Sequence, residues 1–238
     1  MRKLVIIPTY NERENVARMI KKVLSLDGGF EMLFVDDGSP DGTAEIIEGE
    51  RMIASDRIHL IRRSGKLGLG TAYIAGFRWA LEHGYDMVFE MDCDFSHNPD
   101  DLLRLVRRLE TDSDVVVGSR YVRGVNVVNW PLSRLLMSYF ASRYVRIVTG
   151  MPVCDATAGF VGYRREVLQT IDLDGVRMIG YGFQIEMKYT AWKLGFRIGE
   201  ESIIFVDREA GTSKMSSGIF GEAFFGVLKL PFRKIRRL

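Results

Sequence analysis

Apolar and polar positions along this chain follow two rhythms. Short unbroken apolar runs alternate with longer stretches in which apolar residues recur every three to four positions. Leu4–Ile7, Glu31–Val35, Ile58–Ile61, Met87–Met91 and Asp114–Gly118 show the first rhythm and predict strands. Asn11–Leu26 carries Val16, Met19, Ile20, Val23 and Leu24 at helical spacing and predicts a helix, as do Thr43–Met52, Thr71–His83 and Pro99–Leu109. Strand and helix therefore alternate through short turns. That order predicts an α/β fold built on a mostly parallel, doubly wound sheet covered on both faces. Right-handed crossovers place the loops that leave the strands along one edge, where such sheets bind ligands.

At 238 residues the chain can bury a sizeable core, and one domain is expected. A net charge of +2 offers no global attraction for nucleic acid. The two cysteines, Cys93 and Cys154, make no CxxC pair, so a reducing cytosol is the expected compartment. The apolar run near Met1 is too short for a signal peptide, and Pro8 ends it. No stretch has the length of a membrane-spanning helix. A soluble protein, or one lying on a surface, is expected. Composition shifts near residue 218, which divides the chain into a domain over 1–218 and a basic amphipathic tail over 219–238.

Candidate chemistry collects after the strands. Asp92 and Asp94 follow the run Met87–Met91, and carboxylates one residue apart converge on a hard divalent cation if the backbone turns there. Such a cation keeps waters and shares its remaining sites with substrate phosphates. Cys93 between them reads as a small buried side chain. His97 is a further possible ligand or simply a turn residue before Asn98-Pro99. Asp37-Gly-Ser-Pro-Asp-Gly42 with Glu48 imitates an EF-hand calcium loop, but that loop follows a helix, and here a strand precedes it. A strand-end turn with Asp37 facing a nucleotide, or a capping turn with Asp41 as cap, fits better. Gly65-Lys-Leu-Gly-Leu-Gly70 opens a helix and can bring backbone N–H groups near a phosphate, although it lacks the P-loop spacing. Glu186, in Tyr181-Gly-Phe-Gln-Ile-Glu186, points into a site or to solvent. Arg120, Arg134, Arg208 and Lys214 all lie on loops, and arginine forks match phosphate oxygens.

Read together, these segments resemble the polyprenol-phosphate (dolichol-phosphate) mannose synthases among the inverting family-2 glycosyltransferases. Pro8–Asn15, Val35–Thr43, Gly65–Gly70, Met91–His97, Gly118–Val122, Asn129–Pro131 and Arg208–Lys214 carry the resemblance, in the family's order, over most of the chain. It implies a nucleotide-sugar fold of the GT-A, Rossmann-like kind. It implies that Pro8, Tyr10, Glu12, Val35 and Asp37 hold the guanosine and ribose of GDP-mannose. Asp92, Cys93 and Asp94 would border the diphosphate, with Asp94 the chief ligand of Mg2+ or Mn2+ and Asp92 beside it. Ser96 matches a position where some relatives offer glutamine to the metal, and a shorter serine suits a bridging water. Arg120 and Arg134 would hold the acceptor phosphate, while Gln184, Arg208 and Lys214 complete the donor pocket.

The implied activity is that of a dolichyl-phosphate β-D-mannosyltransferase. A phosphate monoester already carries a nucleophilic oxygen at neutral pH, so the acceptor needs no general base. Single displacement would invert the anomeric centre. Two alternatives stay open: a related transferase using UDP-glucose or UDP-GlcNAc, and a noncatalytic nucleotide-binding module. Some relatives carry transmembrane helices and others use small membrane subunits, for which this sequence holds no sign. In the tail, Phe220, Phe224, Phe225 and Leu228 fall at spacings that share a helical face. Five basic residues follow Glu222 without an acid, and Pro231 should bend the segment. A peripheral place on the cytoplasmic face of a membrane is expected, with a helix packed on the domain as the alternative.

Overall fold

Seven strands, β1 (Lys3–Thr9), β2 (Phe30–Asp36), β3 (Ile58–Arg62), β4 (Met87–Glu90), β5 (Val115–Ser119), β7 (Val161–Arg164) and β8 (Ile198–Ser202), form one sheet in the order β3-β2-β1-β4-β7-β5-β8. A two-stranded sheet pairs β6 (Val127–Val128) with β9 (Phe205–Val206). The computed structural model that reveals them describes residues 1–54, 56–180, 182–207 and 217–238. The helices are α1 (Val16–Leu24), α2 (Thr43–Ile53), α3 (Leu69–Glu82), α4 (Asp101–Thr111), α5 (Leu132–Thr149), α6 (Arg165–Thr170), α7 (Gly182–Lys193) and α8 (Ser217–Lys229). Six strands of the large sheet run one way, and β7 runs against its neighbours β4 and β5. The expectation of a mostly parallel, doubly wound α/β sheet holds, with one reversed strand in its middle.

Side chains alternate across a strand, and β1 shows the consequence. Leu4 and Ile6 join the core on one face with Tyr73 and Phe77 of α3 and Phe183 and Met187 of α7. Val5 and Ile7 join the other with Val16, Met19 and Ile20 of α1 and Leu102 and Leu105 of α4. All of these are essentially fully buried. Each such side chain contributes about 1.5–3 kcal/mol of transfer free energy, which explains why both faces demand helices.

Three helices begin elsewhere than the spacing predicts, α4 by two residues, at Asp101 rather than Pro99. α1 starts at Val16 because the segment before it is tied to the loop after β2. Asn11 has φ +57°, and the backbone N–H groups of Asn11, Glu12 and Arg13 donate to Ser39 Oγ, Thr43 Oγ1 and Asp41 Oδ2. α3 starts two residues earlier than predicted, at Leu69, inside the glycine run. The capping turn at α2 is also shifted by one residue. Gly42 occupies the cap position, and Asp41 accepts from the backbone N–H and hydroxyl of Thr43.

The expected boundary at residue 218 falls within α8. Val227 and Leu230 are buried against the domain, and the Tyr144 hydroxyl donates to the Phe224 carbonyl at 3.0 Å. A short 3-10 turn over Leu230–Phe232 holds Pro231, where the bend was expected. Phe224, Phe225, Leu228 and Phe232 remain exposed, Phe232 at 90%. Among the described residues no helix is long and apolar enough to cross a membrane.

Candidate functional site

The exits of β1, β2 and β4 share an edge, because the register sets Thr9 beside Asp36 and Ile6 beside Glu90. Past Glu90 the chain turns sharply, and Phe95 takes φ +59°, a left-handed conformation rare for a bulky residue. That turn is the one a convergent Asp92/Asp94 pair requires. Asp94 is 7% exposed, and its Oδ1 accepts from the Ser96 hydroxyl at 2.6 Å and the Ser96 backbone N–H at 3.1 Å. The Asp92 side chain is 42% exposed. Ser96 thus commits its proton to Asp94 and reaches any third party only through its lone pairs.

His97 is buried, stacks on Phe160 with centroids 5.1 Å apart, and accepts at Nδ1 from the Asp92 backbone N–H at 3.4 Å. Burial pushes its pKa down to about 4, so the ring is neutral at physiological pH. It serves as a wall, supporting the turn reading over a ligand. Cys93 is buried in the core beneath, as expected.

A cleft of about 760 Å3 opens from this turn. Asp92, Asp94, Ser96, Arg120, Arg134 and Gln184 all line it. Six sequence-predicted residues therefore meet in one place. The far wall comes from α5 and α8 and is apolar, with Met137, Phe140, Phe224 and Phe225 among its residues. Gln184 is almost fully buried, and within the protein its amide has only the neighbouring Glu90 carboxyl to meet. Below it lie Glu90 and Lys188, both fully buried. Burial raises the Glu90 carboxyl to about 8 and lowers the Lys188 ammonium to about 8, while their mutual attraction opposes both shifts. Lys188 donates to the Ala158 carbonyl at 2.7 Å.

The two arginines expected at the acceptor differ. Arg120 is 8% exposed and meets Asp155, itself fully buried, through Nε at 2.7 Å and Nη2 at 2.6 Å. Its Nη2 also donates to Thr157, and the guanidinium lies within a ring of Tyr121, Trp130 and Phe205. Asp155 is held in turn by its backbone N–H on Glu200 at 3.0 Å. Although burial raises it, the Arg120 charge and three hydrogen bonds from Arg120 and its backbone hold the Asp155 carboxyl below its usual range. Arg134, in the first turn of α5 and not on the loop expected for it, is more open, pairing with Asp207 at 2.8 Å and lying 4.1 Å above the Trp130 ring.

The five residues expected at the nucleoside lie on the neighbouring exits of β1 and β2, outside the lining of this cleft. Pro8, Tyr10 and Glu12 are half-buried. Lys66 stands 4.9 Å over the Tyr10 ring, and Glu12 Oε2 accepts from Asn15. Val35 is fully buried within β2, so only its backbone can meet a ligand. Asp37 pairs with Arg63 at 2.6 Å, both nearly buried. With Asp36 and Asp41 also bonded within the turn, the calcium-loop reading loses its oxygens to protein partners. The glycine run owes its composition to close approach. A Cβ on Gly70 would stand 2.8 Å from Phe183 Cδ2, and the Gly70 N–H already donates to the Ile179 carbonyl. Arg208 and Lys214 lie outside the described residues.

Sequence reasoning missed Asp155, Arg63, the Glu90–Lys188 pair and helix α5. Only α5 leaves a local signal. Leu135, Leu136, Met137, Tyr139 and Phe140 are apolar around more than one face, as in a helix that lines a groove as well as a core.

Comparison with known proteins agrees with this arrangement. Residues 4–172 match the family model described as glycosyl transferase family 2. The polyprenol monophosphomannose synthase of Mycolicibacterium smegmatis is 46% identical over 232 residues, covering 98% of this chain and 88% of that protein. The undecaprenyl-phosphate mannosyltransferase of Micrococcus luteus is 47% identical over 229 residues, covering 96% of this chain and 93% of its own. Among solved structures, glucosyl-3-phosphoglycerate synthase from Mycobacterium tuberculosis in complex with UDP aligns with a TM-score of 0.67 at 20% identity. The match covers 97% of this chain and 79% of that one, and at such identity the likeness is one of fold. The same enzyme with Mn2+, UDP and glucosyl-3-phosphoglycerate aligns with a TM-score of 0.66 at 20% identity, covering 96% of this chain and 78% of that one.

Proposed function

The chain belongs to glycosyl transferase family 2, and on that premise we propose that it transfers mannose from GDP-mannose to a polyprenyl phosphate, inverting the anomeric centre. One observation carries the reading. A single cleft is lined by a carboxylate pair, two arginines and an apolar wall, the groups that a diphosphate, an acceptor phosphate and a prenyl chain call for.

The chemistry follows from charge. The acceptor phosphate supplies its own nucleophilic oxygen, so the protein's task is to bring two anions together and to steady the leaving diphosphate. Arg134, on the open side of the cleft, gives a fork to the acceptor phosphate. Arg120, locked on Asp155, lends fixed positive potential from the wall. The apolar residues of α5 and α8 exclude water, which favours transfer over hydrolysis. Gln184, which lines the cleft beside Glu90, meets the sugar or diphosphate. Pro8, Tyr10, Glu12, Val35 and Asp37 hold the nucleoside beside the cleft, and Arg208 and Lys214 belong to the same donor side.

The donor set suits Mg2+ or Mn2+. Asp94 and Asp92 offer two carboxylates on one turn, and among the described residues no group of three or more His, Cys, Asp or Glu could hold a metal. Two carboxylates plus substrate oxygens and water is the arrangement that a hard cation of this kind takes. Bound there, the cation would supply positive charge to the departing diphosphate. The exposed apolar residues of α8 and the basic end beyond it support a peripheral place on the cytoplasmic membrane face. Incubation with labelled GDP-mannose, UDP-glucose or UDP-GlcNAc and polyprenyl phosphate, followed by lipid extraction, tests the reading. Label entering lipid from GDP-mannose is expected. Transfer from a UDP-sugar alone names a different donor, and none from any sugar leaves a binding module.

A further inference from the structure

A second concavity lies on the other side of α7 from the cleft. Its volume is about 420 Å3, and it forms where the chain's last residues fold back over α7 and the segment 172–177. Adjacent residues of α7 face the two spaces, Ile185 the cleft and Glu186 the concavity. The C-terminal segment is fastened here. Ile171 bridges to Arg237 in antiparallel fashion, and Arg233 donates to the Glu186 carboxylate and the Gly175 carbonyl.

Charge in this space is out of balance. Arg177, Arg233, Lys234 and Arg236 line it against two carboxylates, Asp172 and Glu186. Glu186 is fully buried and already accepts from the backbone N–H groups of Arg177 and Met178 as well as from Arg233. Asp172 accepts from the Gly175 backbone N–H. Both carboxylates are thus engaged with the protein's own donors. Among the described residues, no salt bridge joins Arg177, Lys234 or Arg236 to an acid. The Arg233 guanidinium is pushed down by burial first and by the neighbouring Arg177 charge second, with Asp172 opposing both. Bringing like charges around a hollow costs free energy, which an anion seated among them would recover.

We propose that this concavity binds a phosphate monoester or diester group, of the kind found on lipid headgroups and on soluble phosphate esters. Four cations from two separate segments line it, so recognition differs from that of a loose polybasic tail. Arg177 lies 56 positions before Arg233, outside the tail altogether. Phe232, 90% exposed, stands beside the rim, where an apolar anchor would meet acyl chains if the phosphate belongs to a lipid.

The test uses the full chain, Arg177→Gln and Arg236→Gln, with Arg134→Ala as the control for phosphate entering the cleft. Each is titrated calorimetrically with glycerol 3-phosphate at fixed ionic strength, and each is floated with vesicles of phosphatidylglycerol in phosphatidylcholine. Arg177 and Arg236 are both exposed, so the variants should fold, and melting temperatures check this. Losing one charge-assisted contact should weaken glycerol 3-phosphate binding in the concavity about tenfold in both variants, whereas Arg134→Ala should remove only what binds in the cleft. Parallel loss of vesicle binding in Arg177→Gln assigns the site to a lipid headgroup, and retained vesicle binding assigns it to a soluble ester. Wild-type affinity in both variants, or loss confined to Arg134→Ala, overturns the proposal.

Discussion

Replacing Asp155 by asparagine should be among the most damaging single-atom changes available in this chain. Asp155 is fully buried and receives the Arg120 backbone N–H at 2.9 Å, Nε at 2.7 Å and Nη2 at 2.6 Å. Asparagine keeps the shape but turns one acceptor into a donor that faces the guanidinium, and it removes the balancing charge. Breaking a buried pair from one side costs about 3–5 kcal/mol, because an uncompensated ion is left behind. Total stability for a domain is about 5–15 kcal/mol, so a large part of the margin is at stake. At about 2–4 °C per kcal/mol for a chain of this size, the melting temperature should fall by about 6–20 °C. Urea unfolding at pH 7, compared at equal slope, gives the number directly. A second variant separates charge from packing. Arg120→Met with Asp155→Leu should recover much of the loss, since apolar replacement of both partners removes the buried ion. The pH dependence carries a sign as well. Asp155 has a depressed folded pKa, so its contribution is present above the unfolded carboxylate value, about 3.9, and is lost as pH falls toward the folded one. The variant should lack that component of acid sensitivity. A loss below about 1 kcal/mol would refute the reasoning, since it would mean the pair is not truly desolvated.

Four further outcomes are expected. Asp94→Asn should lower mannosyl transfer by orders of magnitude, and excess EDTA should do the same to the wild type; near-normal turnover in either case removes the metal from Asp94. Arg134→Ala should raise the KM for polyprenyl phosphate by the equivalent of about 1.5–3 kcal/mol, with calorimetric GDP affinity intact; collapse of GDP binding would move Arg134 to the donor side. Gly70→Ala should destabilise by about 1–3 kcal/mol in chemical unfolding despite better helix propensity, because the added Cβ would stand 3.0 Å from the Ile179 carbonyl and closer still to Phe183. Phe232→Ser should leave stability within about 0.5 kcal/mol while weakening flotation with anionic vesicles, and unchanged flotation would release the tail from any membrane role.

The parts of this fold that were legible beforehand are those whose signal is local. Continuous apolar runs such as Leu4–Ile7 announce strands because both sides of the sheet are covered. β7 was not legible: it has four residues, and nothing within Val161–Arg164 encodes the direction in which a strand enters a sheet. The carboxylate turn could be read because its residues are neighbours in sequence. Asp155 could not, because its partner Arg120 stands 35 positions away and Asp155 itself lies in no motif. Arg63 carries no signal in the sequence for the same reason, and only folding brings it to Asp37. Ser96 was legible as part of the site, while its commitment to Asp94 depends on the left-handed turn at Phe95.

The reversed strand has a bearing on how the reaction is dimensioned. β4 delivers Asp92 and Asp94, β5 delivers Arg120, and β7 lies between them, bonded to both. Adjacent strands stand about 4.8 Å apart, so the two exits are separated by about 10 Å, two rungs of the sheet. Because β7 runs the opposite way, the segment entering it, with Ala158 and Gly159, arrives between those exits where a parallel strand would send out a third loop. The gauge between the carboxylate turn and Arg120 is therefore set by backbone ladders and floored by small residues. Substitutions in the surrounding loops can retune which sugar or which lipid is admitted, while the separation itself is inherited from the most rigid part of the molecule.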